Sequence, residues 1–214
     1  EFLSDDTQVR IEAYYKDYQH LAIENDVLEF ANRGRGYARG LDMFFKHGVL
    51  FQDKLNGWIS YSFLQSKRLQ TRETESGLLE EFAPSAFDVS HNLTVVGKYE
   101  LRERMSLGLT YRFATGRPFT PVVSARRDPN FDFFVPFEGP VNSERLPDYH
   151  RLDASFSYLQ PFGSNYLVFY FGLSNILNRQ NVLGYDYSFD YSERTPRETN
   201  FSRFVYFGVT ATIR

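Results

Sequence analysis

The chain has no cysteine. That excludes a disulfide framework, a thiolate metal site and a thiol nucleophile. Charge of one sign is also scarce: the formal net charge is -3, which leaves no basic face for a nucleic-acid partner. Long apolar runs are missing as well. The longest uncharged stretch, residues 154–178, is broken by Pro161, Gly163 and Asn165 and alternates with period two, so no segment reads as a membrane-crossing helix. No signal peptide is visible ahead of Glu1, and the expectation is that the chain is processed, truncated or cleaved from something longer.

Aromatic residues are abundant instead. With 22 Phe and 15 Tyr the aromatic share is 18%, which points to an all-β protein either packed on an apolar layer or girdled at an interface. A mean hydropathy of -0.43 does not exclude a membrane, because the strands of a transmembrane barrel alternate apolar and polar residues.

Period-two alternation predicts strands at about 8–21, 37–47, 55–66, 89–100, 103–114, 149–160, 166–174 and 201–213. The cleanest sets Met105, Leu107, Leu109, Tyr111 and Phe113 against Arg104, Ser106, Gly108, Thr110 and Arg112. Phe44 and Trp58 are blemishes on otherwise polar faces. Residues 67–88 read as an acidic loop, 115–148 as the longest loop, and 175–200 as a further long segment. Long and short connections alternate, as they do in an antiparallel barrel with small turns on one rim and large loops on the other. The fold expected is therefore all-β: an antiparallel transmembrane β-barrel.

The polar faces collect Arg10, Lys16, Lys46, Lys98, Arg104, Arg112 and Arg151 but only the acids Glu12, Asp42 and Asp153. A narrow eight-stranded barrel is filled by its own side chains, and unpaired charge there is costly. The eight strands are thus expected to form an arc of a larger barrel, its basic groups and Asp153 facing a hydrated lumen or a plug. Tyr15, Tyr61, Tyr99, Tyr111, Phe113, Tyr158 and Phe201 suit an interfacial girdle.

Sites of other kinds are poorly supported. His20, His47, His91 and His150 lack ligand spacing, and the acids of the longest loop lack calcium-loop spacing. No metal or cofactor is expected. Gly34, Gly36 and Gly40 precede an alternating strand with no Walker lysine and are read as turn glycines at a rim. Phe131, Phe133, Phe134 and Phe137, with Tyr185 and Tyr187, are candidates for ligand contact in the loops. Residues 183–191 alternate and are read as a hairpin arm. Nothing sets a strained nucleophile beside a base, so no enzyme is expected; an outer-membrane hydrolase is the enzymatic alternative. A passive porin or an autonomous eight-stranded barrel is the other.

Several segments carry a more specific resemblance. Leu146, Pro147, Asp148, Tyr149, His150, Arg151, Leu152 and Asp153, followed by an alternating strand, resemble the approach to the third-last strand of TonB-dependent outer-membrane receptors. Gly172, Leu173, Ser174, Asn175, Ile176, Leu177 and Asn178 are similar to the end of the penultimate strand. Glu12 to Lys16 with Gly34 to Asp42 resembles an earlier hairpin, especially in receptors of the Bacteroidetes type. Phe87 to Asn92 and Ala114 to Phe119 are similar to two further recurring segments.

The resemblance implies the carboxy-terminal third of a 22-stranded barrel in the bacterial outer membrane, with an ending, Thr212, Ile213 and Arg214, that departs from the usual terminal aromatic. It implies active uptake of a scarce solute. The implied partners are an N-terminal plug and the remaining barrel strands, on a missing region or second chain. To these it adds the TonB system, a surface lipoprotein, and lipid and lipopolysaccharide. The transported solute is not legible.

Overall fold

The computed structural model describes residues 2–4, 6–24, 30–49, 52–74 and 77–212. Strands β1 (Phe2–Ser4), β2 (Thr7–Glu24), β3 (Phe30–His47), β4 (Leu55–Thr74), β5 (Gly77–Pro84), β6 (His91–Arg102) and β7 (Met105–Ala114) come first. The short strands β8 (Pro118–Phe119), β9 (Val122–Arg127), β10 (Phe134–Glu138) and β11 (Glu144–Arg145) follow. The chain continues through β12 (Tyr149–Phe162), β13 (Asn165–Ser174), β14 (Val182–Tyr187), β15 (Arg194–Glu198) and β16 (Phe204–Thr212).

Ten strands form one sheet in the order β1-β2-β3-β4-β6-β7-β12-β13-β16, with β5 paired on the far part of β4. Every pairing in it is antiparallel. The expectation of a transmembrane β-barrel, with eight strands as an arc of a larger one, is corrected here in strand number and in closure. The sheet has ten strands, and it is open: no pairing among the described residues joins β16 back to β1 or β2. An autonomous eight-stranded barrel is excluded with it. Alternation reports which way side chains point within a strand, whereas closure depends on pairing between strands far apart in the chain, which period two does not encode.

A further correction concerns length. β2 and β3 have 18 residues each and β4 has 20. At roughly 3.3 Å per residue, 18 residues reach about 60 Å, twice the roughly 30 Å hydrocarbon layer of a bilayer. Within residues 67–88, expected as loop, 67–74 continue β4 and 77–84 form β5, pairing from Lys67↔Pro84 to Thr74↔Gly77. Their few apolar residues are split between the faces, Leu69, Leu78 and Phe82 on one and Leu79 and Ala83 on the other. A hairpin so divided has no continuous apolar stripe, and alternation cannot reveal it.

Register lines the apolar side chains up across the sheet. Tyr99, Leu107, Phe156, Phe171 and Phe207 form one row. Leu109, Ala154, Leu173 and Val205 form the next. These side chains are not inside anything: Phe207 is 82% exposed, Leu109 50% and Phe171 45%. Among the described residues the buried aliphatic side chains are only Ile23, Ala38, Ala83 and Leu146. A sheet with so wide an apolar face and so small a core has its hydrophobic surface turned outward.

The connection from β12 to β13 is a two-residue turn in which Gly163 has φ 59°. An L side chain pays about 1–2 kcal/mol in that region, and a Cβ there meets nothing within 4 Å. Gly163→Ala is therefore expected to destabilise the protein by about 1 kcal/mol through backbone strain alone. The measurement is the urea midpoint of the detergent-folded protein, with unchanged slope.

Candidate functional site

The polar face is built from the residues between the apolar rows. Arg10, Phe44, Ser60, Thr94, Arg112 and Arg151 share one register across six strands. Lys46, Trp58, Val96, Thr110 and Asp153 share the next. Lys98 lies one register further, opposite Asn56 and Gly108. The two blemishes of the pattern, Phe44 and Trp58, meet each other with ring centroids 6.1 Å apart. Arg104 stands apart from the other expected bases. It sits in the turn before β7 with φ 70°, at the short-turn end of the sheet.

Asp153 gathers two of those bases. Its carboxylate accepts from Arg151 Nε at 2.9 and 3.0 Å and from Arg112 Nη1 at 3.4 Å. The Ser174 hydroxyl and the Asn175 backbone N–H donate to it at 2.8 Å each, and Arg151 Nη2 donates to Ser174 Oγ at 2.7 Å. Ser174 and Asn175 are buried. The hub ties β12 to the end of β13, where the chain leaves the sheet. Lys16 lies over the Tyr14 ring at 5.8 Å, and Arg10 pairs with Glu12 at 3.7 Å.

On β3 the polar face is stripped of side chains. Gly34, Gly36, Ala38 and Gly40 all point that way, opposite Tyr18, Lys16 and Tyr14 on β2 and Arg68, Ser66 and Leu64 on β4. They leave a furrow of about 690 Å³. The three glycines are thus strand residues, not turn residues as expected. The signal in the sequence was their common parity with Ala38 and with the polar positions that follow.

At the long-connection end the short strands pair among themselves, β8 with β11, β9 with β10 and β14 with β15. Charged groups fasten them together. Arg145 donates to the buried Asp88 carboxylate at 2.6 Å, to Asp88 O at 2.6 Å and to Gly116 O at 3.0 Å. Arg72 reaches Glu138 O at 2.9 Å and pairs with Glu81 at 3.3 Å. Arg194 joins Glu144 at 2.8 Å. That hydrogen bond is the leading cause that raises the guanidinium further above its ordinary value, with partial desolvation opposing it.

The loop candidates divide into two groups. Phe134 meets Phe189 edge-on at 5.7 Å, and Phe137 lies under Arg126 at 5.7 Å. Tyr185 packs between Phe119 at 5.2 Å and Arg194 at 4.7 Å. Tyr187 touches Tyr191, and its hydroxyl accepts from Val122 N–H at 3.2 Å. Phe134, Tyr185 and Tyr187 thus join one loop to another, while Phe137 packs within the β9–β10 hairpin. Phe131 and Phe133 stack on each other at 6.0 Å, exposed at the tip of the β9–β10 hairpin.

In the β14–β15 turn, Asp190 accepts from the Ser188 hydroxyl at 2.7 Å and from the Ser192 hydroxyl and N–H at 2.8 and 3.2 Å. These bonds to the anion, Ser188 first, hold its carboxyl down at about 2 from 3.8. A depressed carboxyl stabilises the turn fully above 3.8, and that contribution is lost as pH falls from 3.8 through about 2. The Ser192 amide is accordingly expected to lose exchange protection in that window. Hydrogen exchange followed from pH 5 to pH 2, with Asp190→Ala showing no such step, checks it.

Two pairings on the apolar face were not legible from sequence, although His91, His150, Tyr61, Tyr111 and Phe113 were each named there. Tyr61 OH lies 2.8 Å from His91 Nδ1 with Phe63 beside the imidazole, and Tyr111 OH lies 2.9 Å from His150 Nδ1 with Phe113 beside it. Both put a tyrosine, a phenylalanine and a histidine near the long-connection end. No cluster of three metal-ligating side chains occurs among the described residues.

No protein-family model matches the chain, and neither does any curated protein. Solved structures do share its fold. The chain is similar to the ferric-catecholate import receptor Fiu from Escherichia coli K12 in its closed form. The TM-score is 0.64 at 14% identity, over 98% of this chain and 26% of that one. It is likewise similar to the outer membrane transporter YddB from Escherichia coli, with a TM-score of 0.61 at 12% identity, over 98% of this chain and 31% of that one. The chain thus spans about a quarter to a third of the length of these two structures.

Proposed function

We propose that this chain is a wall sector of a TonB-coupled import receptor in the bacterial outer membrane. The reading rests first on the outward-facing apolar rows, which have no dry core behind them among the described residues and therefore need an apolar solvent. Lipid supplies it. In lipid an open sheet edge carries unpaired N–H and C=O groups, so further wall strands pair with β16 and with the β1–β2 edge. A plug belongs against the polar face, where Arg112, Arg151 and Asp153 stand. The long-connection end faces outward and meets lipopolysaccharide and a surface lipoprotein. The solute is captured there, and TonB supplies the energy that moves it inward. No bond of the solute is broken.

The resemblance of the segments around Gly34–Asp42, Leu146–Asp153 and Gly172–Asn178 supports this reading, and so does the shared fold of an import receptor and a transporter. The experiment is affinity purification from detergent-solubilised outer membrane with cross-linking to TonB. Recovery of a plug-bearing polypeptide and a TonB adduct is expected. A stable, unplugged protein that conducts ions passively in a planar bilayer would replace the reading with that of a porin.

A further inference from the structure

The furrow over β3 has a polarity along its length. At the end nearer the short turns lies Asp42, whose carboxylate accepts the hydroxyl of Ser62. Two and three registers away respectively, Lys16 and Arg68 stand diagonally across the bare Gly36–Ala38 backbone, roughly 10 Å apart at two strand spacings. Neither has an ion-pair partner among the described residues. The other nearby acid, Asp88, is taken by Arg145 and by the Ser66 N–H. Lys67 lines the same space, so Lys16, Arg68 and Lys67 border one opening with no ion-pair partner among the described residues.

The same space is walled by aromatic rings. Tyr14 and Tyr18 line it from β2, and Phe87 lines it from the segment after β5 while remaining 74% exposed. The bare floor is what lets the walls close in. A Cβ on Gly40 would stand 2.6 Å from the Tyr14 ring, and one on Gly36 would stand 2.8 Å from Arg68 Cβ. A volume of about 690 Å³ falls in the range of small-molecule sites, about 300–1,000 Å³.

We propose that this furrow binds an anionic aromatic solute, its charge between Lys16 and Arg68 and its ring against Tyr14, Tyr18 and Phe87. The proposal rests on the receptor reading above and names the class of cargo. Cations supply charge-assisted hydrogen bonds to a carboxylate, phosphate or sulfonate, and the rings supply stacking area. The furrow lies toward the long-connection end, where a solute arriving from outside reaches it before the Arg112–Asp153–Arg151 hub.

The test uses the intact protein in detergent micelles and 4-fluorophenyl phosphate, followed by fluorine NMR. Saturable binding is expected, weakened at least tenfold in a Lys16→Gln, Arg68→Gln double variant and several-fold in Phe87→Ala. Arg127→Gln, on the loop, leaves it unchanged. Neutral 4-fluorobenzyl alcohol does not compete. Absence of binding, or equal affinity in the double variant, overturns the proposal. So does a photo-crosslinker at position 87 that captures another segment of the same protein and is not displaced by the probe. Membrane insertion of the same samples, read from a lipid-side probe at position 107, separates this failure from failure of the receptor reading.

Discussion

Replacing Leu109 with arginine is expected to destabilise the folded protein by about 2–4 kcal/mol, the range for a cation on the lipid face near the bilayer midplane. Leu109 lies in the middle of β7, between Gly97 on β6 and Ala154 on β12, and it is half exposed. Thr110, one residue on, belongs to the polar face opposite Val96 and Asp153. Thr110→Arg is expected to change stability by under ~1 kcal/mol. In a soluble sheet that turned Leu109 to water the order would reverse, because an arginine on a wet surface is nearly free while one on the opposite face, then turned inward, would bury a charge. Urea unfolding of both variants in lipid vesicles gives the comparison.

Asp153→Ala is expected to cost about 3 kcal/mol. The carboxylate is the acceptor for Arg151, Arg112, Ser174 and Asn175 at once, and its side chain is 21% exposed. Its loss leaves two guanidiniums without their acid and frees a hydroxyl and an N–H on buried residues. Removing one partner of a buried pair costs about 3–5 kcal/mol, and partial exposure puts this site at the low end. Asp153→Asn is expected to lose less, since an amide oxygen still accepts from Ser174 and Asn175. The damage should be local: the Ile176 amide, which bonds Leu152 O at 2.7 Å, is expected to lose exchange protection while the β6–β7 amides keep theirs. Uniform loss across the sheet would mean that Asp153 supports the whole fold instead.

Much of the sheet was legible because its physics is local. Met105 to Phe113 alternates with Arg104 to Arg112, and the parity of a strand fixes which side chains share a face. Closure was not legible, and the ten-strand open sheet replaces the barrel expected from that parity. The β4–β5 hairpin escaped notice because its few apolar residues, among them Leu69, Leu79 and Phe82, are split between its two faces, so no stripe distinguishes strand from loop. In the site the bases were visible as a class, yet Arg104 belongs to a turn and Arg112 and Arg151 share Asp153. Pairing of that kind depends on Ser174 and Asn175 arriving from another strand. The furrow over β3 was hidden for a related reason: Gly34, Gly36 and Gly40 look like turn residues until the neighbouring strands show what stands on either side of them.

Because the chain has no native cysteine, single cysteines carrying a nitroxide can be placed along β16 without background. The decisive measurement is the accessibility of positions 205 to 210 to oxygen, which partitions into lipid, and to a water-soluble nickel chelate, in native-like bilayers. Oxygen access is expected to peak at 205, 207 and 209 and nickel access at 206, 208 and 210. Nickel access that is highest at 207, or a profile with no two-residue period, would contradict the placement of the apolar rows against lipid.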